Sequence, residues 1–221
     1  MKHLFRRLFR AAFGAACASG RDGAVVQLLA GALLLTMASL ARAADDPRAL
    51  QIVMGKCFLC HGADGESSSP LFPRLAGQHA TYVARQLADY KSGRRKSDTM
   101  RPMVDDLSAE DFALLGRYFE SRKPAPHAQD DPELAQVGRF IFSRGNPYSG
   151  IPPCASCHGN DGHGTDALPR LAGQHALYIE NQLKKYNARE RTNDNTVMHS
   201  VASKLSELEV KAVSAYVSGL K

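Results

Sequence analysis

The chain has 221 residues, 44% of them hydrophobic and 23% charged, with only five cysteines, which suits one or two globular domains and excludes a disordered, fibrous or disulfide-stapled protein. Its formal charge is +6, yet six of the 28 Lys and Arg and one of the 22 Asp and Glu lie in residues 1–43, leaving 22 basic against 21 acidic side chains beyond them. So nearly neutral a chain lacks the electrostatic footprint of a DNA- or RNA-binding protein. Residues 1–43 read as an export signal. Lys2, Arg6, Arg7, Arg10 and Arg21 precede an apolar stretch from Ala24 to Leu40, and Ala41-Arg42-Ala43 supplies the small-x-small pattern of a cleavage site. That apolar run is at the short end for a bilayer span, so cleavage near Ala43/Ala44 and a periplasmic destination are expected.

Asp46-Pro47 opens a first helix with an N-cap acid and a proline at the first helical position. Met54 on this helix is expected in the core. Cys57-Phe58-Leu59-Cys60-His61 follows. Cysteines at i and i+3 of a helical turn lie on one side, where their sulfurs reach both vinyl groups of one haem and the adjacent histidine sits beneath the iron. Half of a zinc site and a redox dithiol are the alternatives, although zinc needs four ligands in a closed tetrahedron. The carbonyl of Pro73 is a candidate acceptor for the remaining ring N–H of His61, a bond that fixes a ligating imidazole. A further helix starts after Gly77-Gln78-His79 and presents Ala80, Val83, Leu87 and Tyr90 on one face. The run Lys91-Ser92-Gly93-Arg94-Arg95-Lys96 then reads either as a solvated helix end or as a patch that steers an acidic partner. Met100 or Met103 supplies a thioether for the other face of an iron. Ser108-x-x-Asp111 is a capping box that starts the last helix of this half, with Phe112, Leu115 and Tyr118 as its buried stripe.

Residues 120–133 contain Pro124, Pro126 and Pro132 and read as a stiffened linker. Beyond them the chain repeats itself. Asp131-Pro132-Glu133 opens a helix, and Cys154-Ala155-Ser156-Cys157-His158 restates the haem-type motif 97 positions on. Pro73 to Ala80 returns letter for letter as Pro169 to Ala176, and Tyr82, Gln86, Leu87 and Tyr90 recur as Tyr178, Gln182, Leu183 and Tyr186. Ser206-x-x-Glu209 repeats the capping box, with Val210, Val213 and Tyr216 as the expected stripe. A second basic run spans Lys184 to Arg191. Two tandem copies of one domain account for this, with boundaries at 44–125 and 126–221. No segment alternates with period two, so the fold class is all-α. Met198 stands where Met100 stands, whereas Met103 aligns with Val201, which leaves Met103 as an apolar packing residue. Both methionines are expected to aim their sulfurs from a loop. His79 and His175 are rival distal ligands or polar neighbours of a haem propionate. His127, His163 and His199 have no repeat partner and receive no role. Asn146 to Pro153 forms a loop with no counterpart before the first motif.

Each half resembles a class I cytochrome c, and the duplicated Pro-Arg-Leu-Ala-Gly-Gln-His-Ala, with Arg191-Thr192-Asn193-Asp194 before the second methionine, is similar to the cytochrome c4 family over residues 47–221. The resemblance implies two helical domains related by a pseudo-twofold and two covalently bound haem c groups. Their thioethers would be at Cys57, Cys60, Cys154 and Cys157, and their axial ligands His61, Met100, His158 and Met198. It implies an electron carrier without catalytic residues, exchanging electrons with a membrane cytochrome complex or a terminal oxidase, with peripheral membrane association possible. The alternative is the cytochrome subunit of a larger dehydrogenase, such as a flavocytochrome sulfide dehydrogenase.

Overall fold

A computed structural model describes residues 46–129 and 131–221. The expected leader, with Cys17 and the cleavage site, lies outside the described residues. No helix among the described residues is long and apolar enough to cross a membrane.

In the first half, α1 (Pro47–Ile52) passes through a π-helical turn (Val53–Cys57) into α2 (Phe58–His61). α3 (Ala80–Ser92), α4 (Met100–Val104) and α5 (Ala109–Glu120) follow. The second half repeats the order as α6 (Pro132–Arg144), α7 (Ala155–His158), α8 (Ala176–Asn187), α9 (Val197–Ala202) and α10 (Glu207–Ser218). Among the described residues the only β-type pairing is an isolated bridge between Asn146 and Ile151. The expectation of an all-α fold holds.

The local reasons are those the sequence offers. The Asp46 carboxylate accepts from Arg48 N, and that of Asp131 from Leu134 N, each with a proline at the first helical position. Both capping boxes form: Ser108 with Asp111 and Ser206 with Glu209 exchange side-chain and backbone bonds. Asp111 also receives Arg48 Nε at 2.9 Å, which fastens α1 to α5. Phe112, Leu115 and Tyr118 are buried against Ala49, Ile52, Val53 and Val83 in one core, while Phe142, Ile179, Val213 and Val217 form another. Tyr216, expected in the second stripe, only packs at its edge. Met54 departs from expectation: it is 47% exposed, because Ile52 and Val53 already fill the inward face of the helix.

The two halves enter their motifs differently. α1 continues into Cys57, whereas α6 stops at Gly145 and the chain detours through residues 146–153. Asn146 and Ile151 bond each other's backbones at 2.9 Å, Asn146 Nδ2 donates to Glu209 at 2.8 Å, and Lys204 Nζ donates to Gly150 O at 2.9 Å. The detour is therefore fastened to its own half.

α6 and α10 cross closely at Gly138, where a Cβ would stand 1.9 Å from Ala212 O. Gly138→Ala must push the two helices apart, at a cost of about 3 kcal/mol, whereas Gly55→Ala meets nothing within 4 Å and gains up to about 1 kcal/mol in helix propensity; thermal unfolding of the two variants reads the contrast. Hydrogen bonds from Arg48, then from the Ser108 backbone, hold the Asp111 carboxyl below its usual range. Stability from this group is present above the unfolded carboxyl value of about 3.9 and is lost as pH falls through the lower folded value. Wild-type melting temperature should therefore fall more steeply in acid than that of Arg48→Gln, as measured by circular dichroism melts.

Candidate functional sites and the seam between them

Each Cys-x-x-Cys-His segment ends a short helix, and a glycine turns the chain away. Gly62 (φ 74°) and Gly159 (φ 80°) take positive φ, which L-residues with a Cβ rarely adopt. At Gly62 a Cβ would also stand 2.7 Å from Glu66 O. The turn carries the chain back so that Gly65 O receives Leu75 N at 2.7 Å and Gly162 O receives Leu171 N at 2.7 Å. These bonds deliver the two prolines to the two histidines. His61 Nδ1 donates to Pro73 O at 2.9 Å, and His158 Nδ1 to Pro169 O at 3.2 Å. Both rings are only 7% exposed. Burial lowers the pKa of each imidazole, partly offset by the carbonyl bond, so both rings are held neutral. A neutral imidazole that donates through Nδ1 keeps the Nε2 lone pair for a metal.

The four thiols are free of disulfides. Burial raises Cys57 to about 11, with Lys56 opposing, and raises Cys154 to about 11. Cys57 and Cys154 are therefore thiols at neutral pH, unlike the thiolates of a zinc site or of a reactive dithiol. Among the described residues no group of three or more His, Cys, Asp or Glu is placed to hold a metal ion, so the zinc alternative lacks its remaining ligands. The set does suit haem c: two thiols able to add to vinyl groups, and one buried imidazole oriented by a carbonyl.

Met100 opens α4 and packs on the same core as Cys57. Met198 is the second residue of α9. The expected loop is thus a short helix in both halves. The α9 turn is fixed by His199, whose Nδ1 donates to Tyr186 O at 2.9 Å. Met103 is 37% exposed rather than a packing residue.

The largest departure from the sequence reading lies between the halves. Gln78 Nε2 donates to Arg170 O at 2.9 Å and Gln78 Oε1 accepts from Arg170 N at 2.8 Å; Gln174 makes the same pair with Arg74, both at 2.9 Å. His79 Nε2 donates to His163 O at 2.7 Å, and His175 Nε2 to Ser67 O at 2.8 Å. Contact i to j is answered by j to i, the signature of a pseudo-twofold. The rival role of His79 and His175 as distal ligands is thereby corrected: each commits Nε2 to the opposite half.

One arginine of each basic run is corrected too, while Lys96, Lys184, Lys185 and Arg189 stay exposed as a solvated helix end would be. Arg95 and Arg191 are buried. Arg95 stacks over Tyr90 at 4.7 Å and donates to Gln86 at 2.8 Å, then crosses to the Tyr178 hydroxyl at 2.9 Å and Gln182 at 3.0 Å. Arg191 stacks over Tyr186 at 4.6 Å and bonds Gln182 at 2.9 Å, Tyr82 at 3.1 Å and Gln86 at 3.0 Å. Burial opposes the Tyr178 phenolate, but Arg95 and Arg191 outweigh it and hold the phenol below its ordinary value. Burial likewise opposes the Arg95 cation, and the facing tyrosines, Tyr178 first, more than restore it. The twofold breaks at Asp89, a buried carboxylate that receives Arg94 Nε at 2.7 Å and Asn193 Nδ2 at 2.6 Å; the matching position is the exposed Lys185. His127, left without a role, bonds Glu66 at 3.0 Å and ties the linker to the first half. The signal for this seam was present as polar residues identical in both copies, a pattern that core packing does not require.

Comparison with known proteins agrees with the geometry. The family model described as Cytochrome c matches residues 48–139 and 152–221. The chain is 41% identical to cytochrome c4 of Azotobacter vinelandii over 210 residues, covering 89% of this chain and 98% of that one. It is 37% identical to the thiosulfate dehydrogenase electron acceptor of Stutzerimonas stutzeri (strain A1501), covering 87% of this chain and 94% of that one. The crystal structure of reduced recombinant cytochrome c4 from Pseudomonas stutzeri is similar with a TM-score of 0.75 at 39% identity, covering 78% of this chain and 97% of that one.

Replacing Gln78 and Gln174 together with leucine strands four part-buried backbone groups, each worth up to about 1–3 kcal/mol when unsatisfied. The halves should separate while remaining folded, seen as faster proteolysis within residues 121–129 and a larger radius of gyration by X-ray scattering.

Proposed function

The chain belongs to the cytochrome c family, as a two-domain relative of cytochrome c4 that carries two covalently bound haem c groups and transfers electrons; on that premise we propose that it is a periplasmic carrier passing electrons from a respiratory donor toward a terminal oxidase. Each haem, when bound, holds one electron by cycling between ferrous and ferric iron. We assign the thioethers to Cys57 and Cys60 in one domain and Cys154 and Cys157 in the other, and the axial ligands to His61 with Met100 and His158 with Met198. The domain boundary is placed at 125/126, within the proline-bearing linker.

The observation that supports this reading most is the duplicated His Nδ1 to Pro carbonyl bond beside each cysteine pair. It aims each imidazole while burial keeps the ring neutral, so no protonation step competes with metal binding. With His61 and Met100, or His158 and Met198, holding each haem iron, no ligand position would be left for substrate, and outer-sphere electron transfer would be the remaining chemistry. A thioether opposite the imidazole raises the reduction potential, which suits an acceptor near the oxidising end of a respiratory chain. A second reading is favoured by the thiosulfate dehydrogenase electron acceptor among the relatives: this chain would then accept electrons directly from a soluble dehydrogenase. Co-purification with such an enzyme separates the two.

Expressed with its leader in a bacterium that matures c-type cytochromes, the protein should be recovered from the periplasm with two haems per chain by the absorption of the reduced pyridine derivative. A count of one or none refutes the assignment. Met100→His should lower one midpoint potential by on the order of 100 mV, a fraction of the ~0.8 V that axial ligands span, while Met103→Leu leaves both potentials unchanged.

A further inference from the structure

The seam between the halves is stitched at one end and open at the other. At the closed end α3 of the first half meets residues 163–167 of the second: Thr81 Oγ donates to Asp166 O, and Arg85 donates to Ala167 O at 2.6 Å. Two carboxylates serve the start of that helix. Glu120 Oε1 accepts from Ala80 N at 2.9 Å, and Asp166 Oδ1 stands 3.9 Å from His79 Nδ1. At the other end the repeat keeps the donors and loses the acids. His175 and Ala176 match His79 and Ala80, but Ser218 stands in the place of Glu120 and Pro70 in that of Asp166. Leu177 and Asn181 likewise replace Thr81 and Arg85, so the stitches are lost as well. Ser218 Oγ donates to Ala215 O at 2.8 Å, and among the described residues no side chain accepts from Ala176 N.

What these exchanges leave is a cleft of about 390 Å³, lined by Pro70 and Ser218 themselves and by Arg74, His127, His175 and Leu177. Its size is that of a small-molecule site. Arg74 comes from one half and the start of α8 from the other. A single carboxylate, Glu66, serves two of the basic side chains, with Arg74 Nε at 3.6 Å and His127 Nε2 at 3.0 Å. The first turn of the 12-residue α8 adds backbone N–H groups and the positive end of the helix dipole. Burial lowers the pKa of His175, the Ser67 carbonyl opposes, and Arg74 and His127 lower it further, so an anion here relieves a positive field. The wall that carries Arg74 stands behind His61 rather than on its iron side, because the neighbouring Pro73 receives the Nδ1 proton.

We propose that this cleft binds a small free dicarboxylate, one carboxyl group taking the place that Glu120 holds at the closed end and the other that of Asp166. The ligand bridges Arg74 of the first half and the Ala176 and Leu177 amides of the second, and so tightens the seam. Pro70 and Leu177 enclose the short carbon chain between the two charged groups. A monocarboxylate fills only one of the two places, and a tetrahedral oxyanion such as sulfate presents one centre where two are needed.

The test titrates succinate into the reduced, isotope-labelled holoprotein and follows its amide resonances. Those of Ala176 and Leu177 should move, those of Ala80 and Thr81 should not, and the dissociation constant should be about 1 mM or below. Acetate and sulfate should each bind at least about tenfold more weakly, the worth of one charge-assisted hydrogen bond. Saturating succinate should raise the melting temperature, since it binds only the paired halves. Pro70→Asp and Ser218→Glu each install an acid of the closed end and should weaken succinate at least about tenfold, whereas Pro70→Asn leaves it unchanged. Pro70 is exposed, so its variants report even where Ser218→Glu fails to fold. No shift at the start of α8 with about 20 mM succinate overturns the proposal, as does binding that Pro70→Asp leaves intact. Acetate or sulfate binding as tightly as succinate overturns the dicarboxylate and leaves an unselective anion hole.

Discussion

A buried polar atom without a partner costs more than most single contacts gain, and that constraint governs how the two domains of this cytochrome sit together. Arg74 and Arg170 bring backbone N–H and C=O groups to the seam, and Gln174 and Gln78 satisfy both from across it. Arg95 and Arg191 bring guanidinium groups, each of which needs acceptors in its own half and in the other. Because these demands are met only in one relative placement, the seam is specific as well as adhesive. The two haem-bearing sites are thus held in a fixed mutual relation, which a carrier of two electrons requires.

Inside each domain the same principle acts on a single ring. A histidine buried beside a cysteine pair would be mobile in tautomer and orientation if its Nδ1 lacked an acceptor. Pro73 and Pro169 supply one, and the glycine turns at Gly62 and Gly159 bring those prolines within reach. Proline suits the position twice over: it stiffens the returning chain, and its carbonyl is the one backbone hydrogen-bonding group it has.

Much of this was legible in the chain itself. The capping boxes, the proline-led helices, the duplicated motif and the Pro–His pairing all depend on local spacing, and local spacing survives folding. What escaped depends on contacts some hundred residues apart. Arg95 and Arg191 read as parts of solvated basic runs because a linear string of Lys and Arg does not show which of them another domain covers. His79 and His175 read as possible iron neighbours because a repeated histidine near a haem-type motif invites that role. Met54 read as core because hydrophobicity alone does not tell the inward face of a rod from its outward face once a π-helical turn shifts the phase.

The linker has a consequence for how durable the pairing of domains must be. Glu66 holds Ala125 and His127 at one end, and Gln129 reaches Ala215 O at the other. A short tether of this kind keeps two surfaces at an effective concentration in the millimolar range. The lobes that drift apart in a thermal fluctuation therefore re-engage as neighbours on one string. Affinity too weak to assemble two separate chains is enough here, and selection can spend the remaining surface on recognising other molecules.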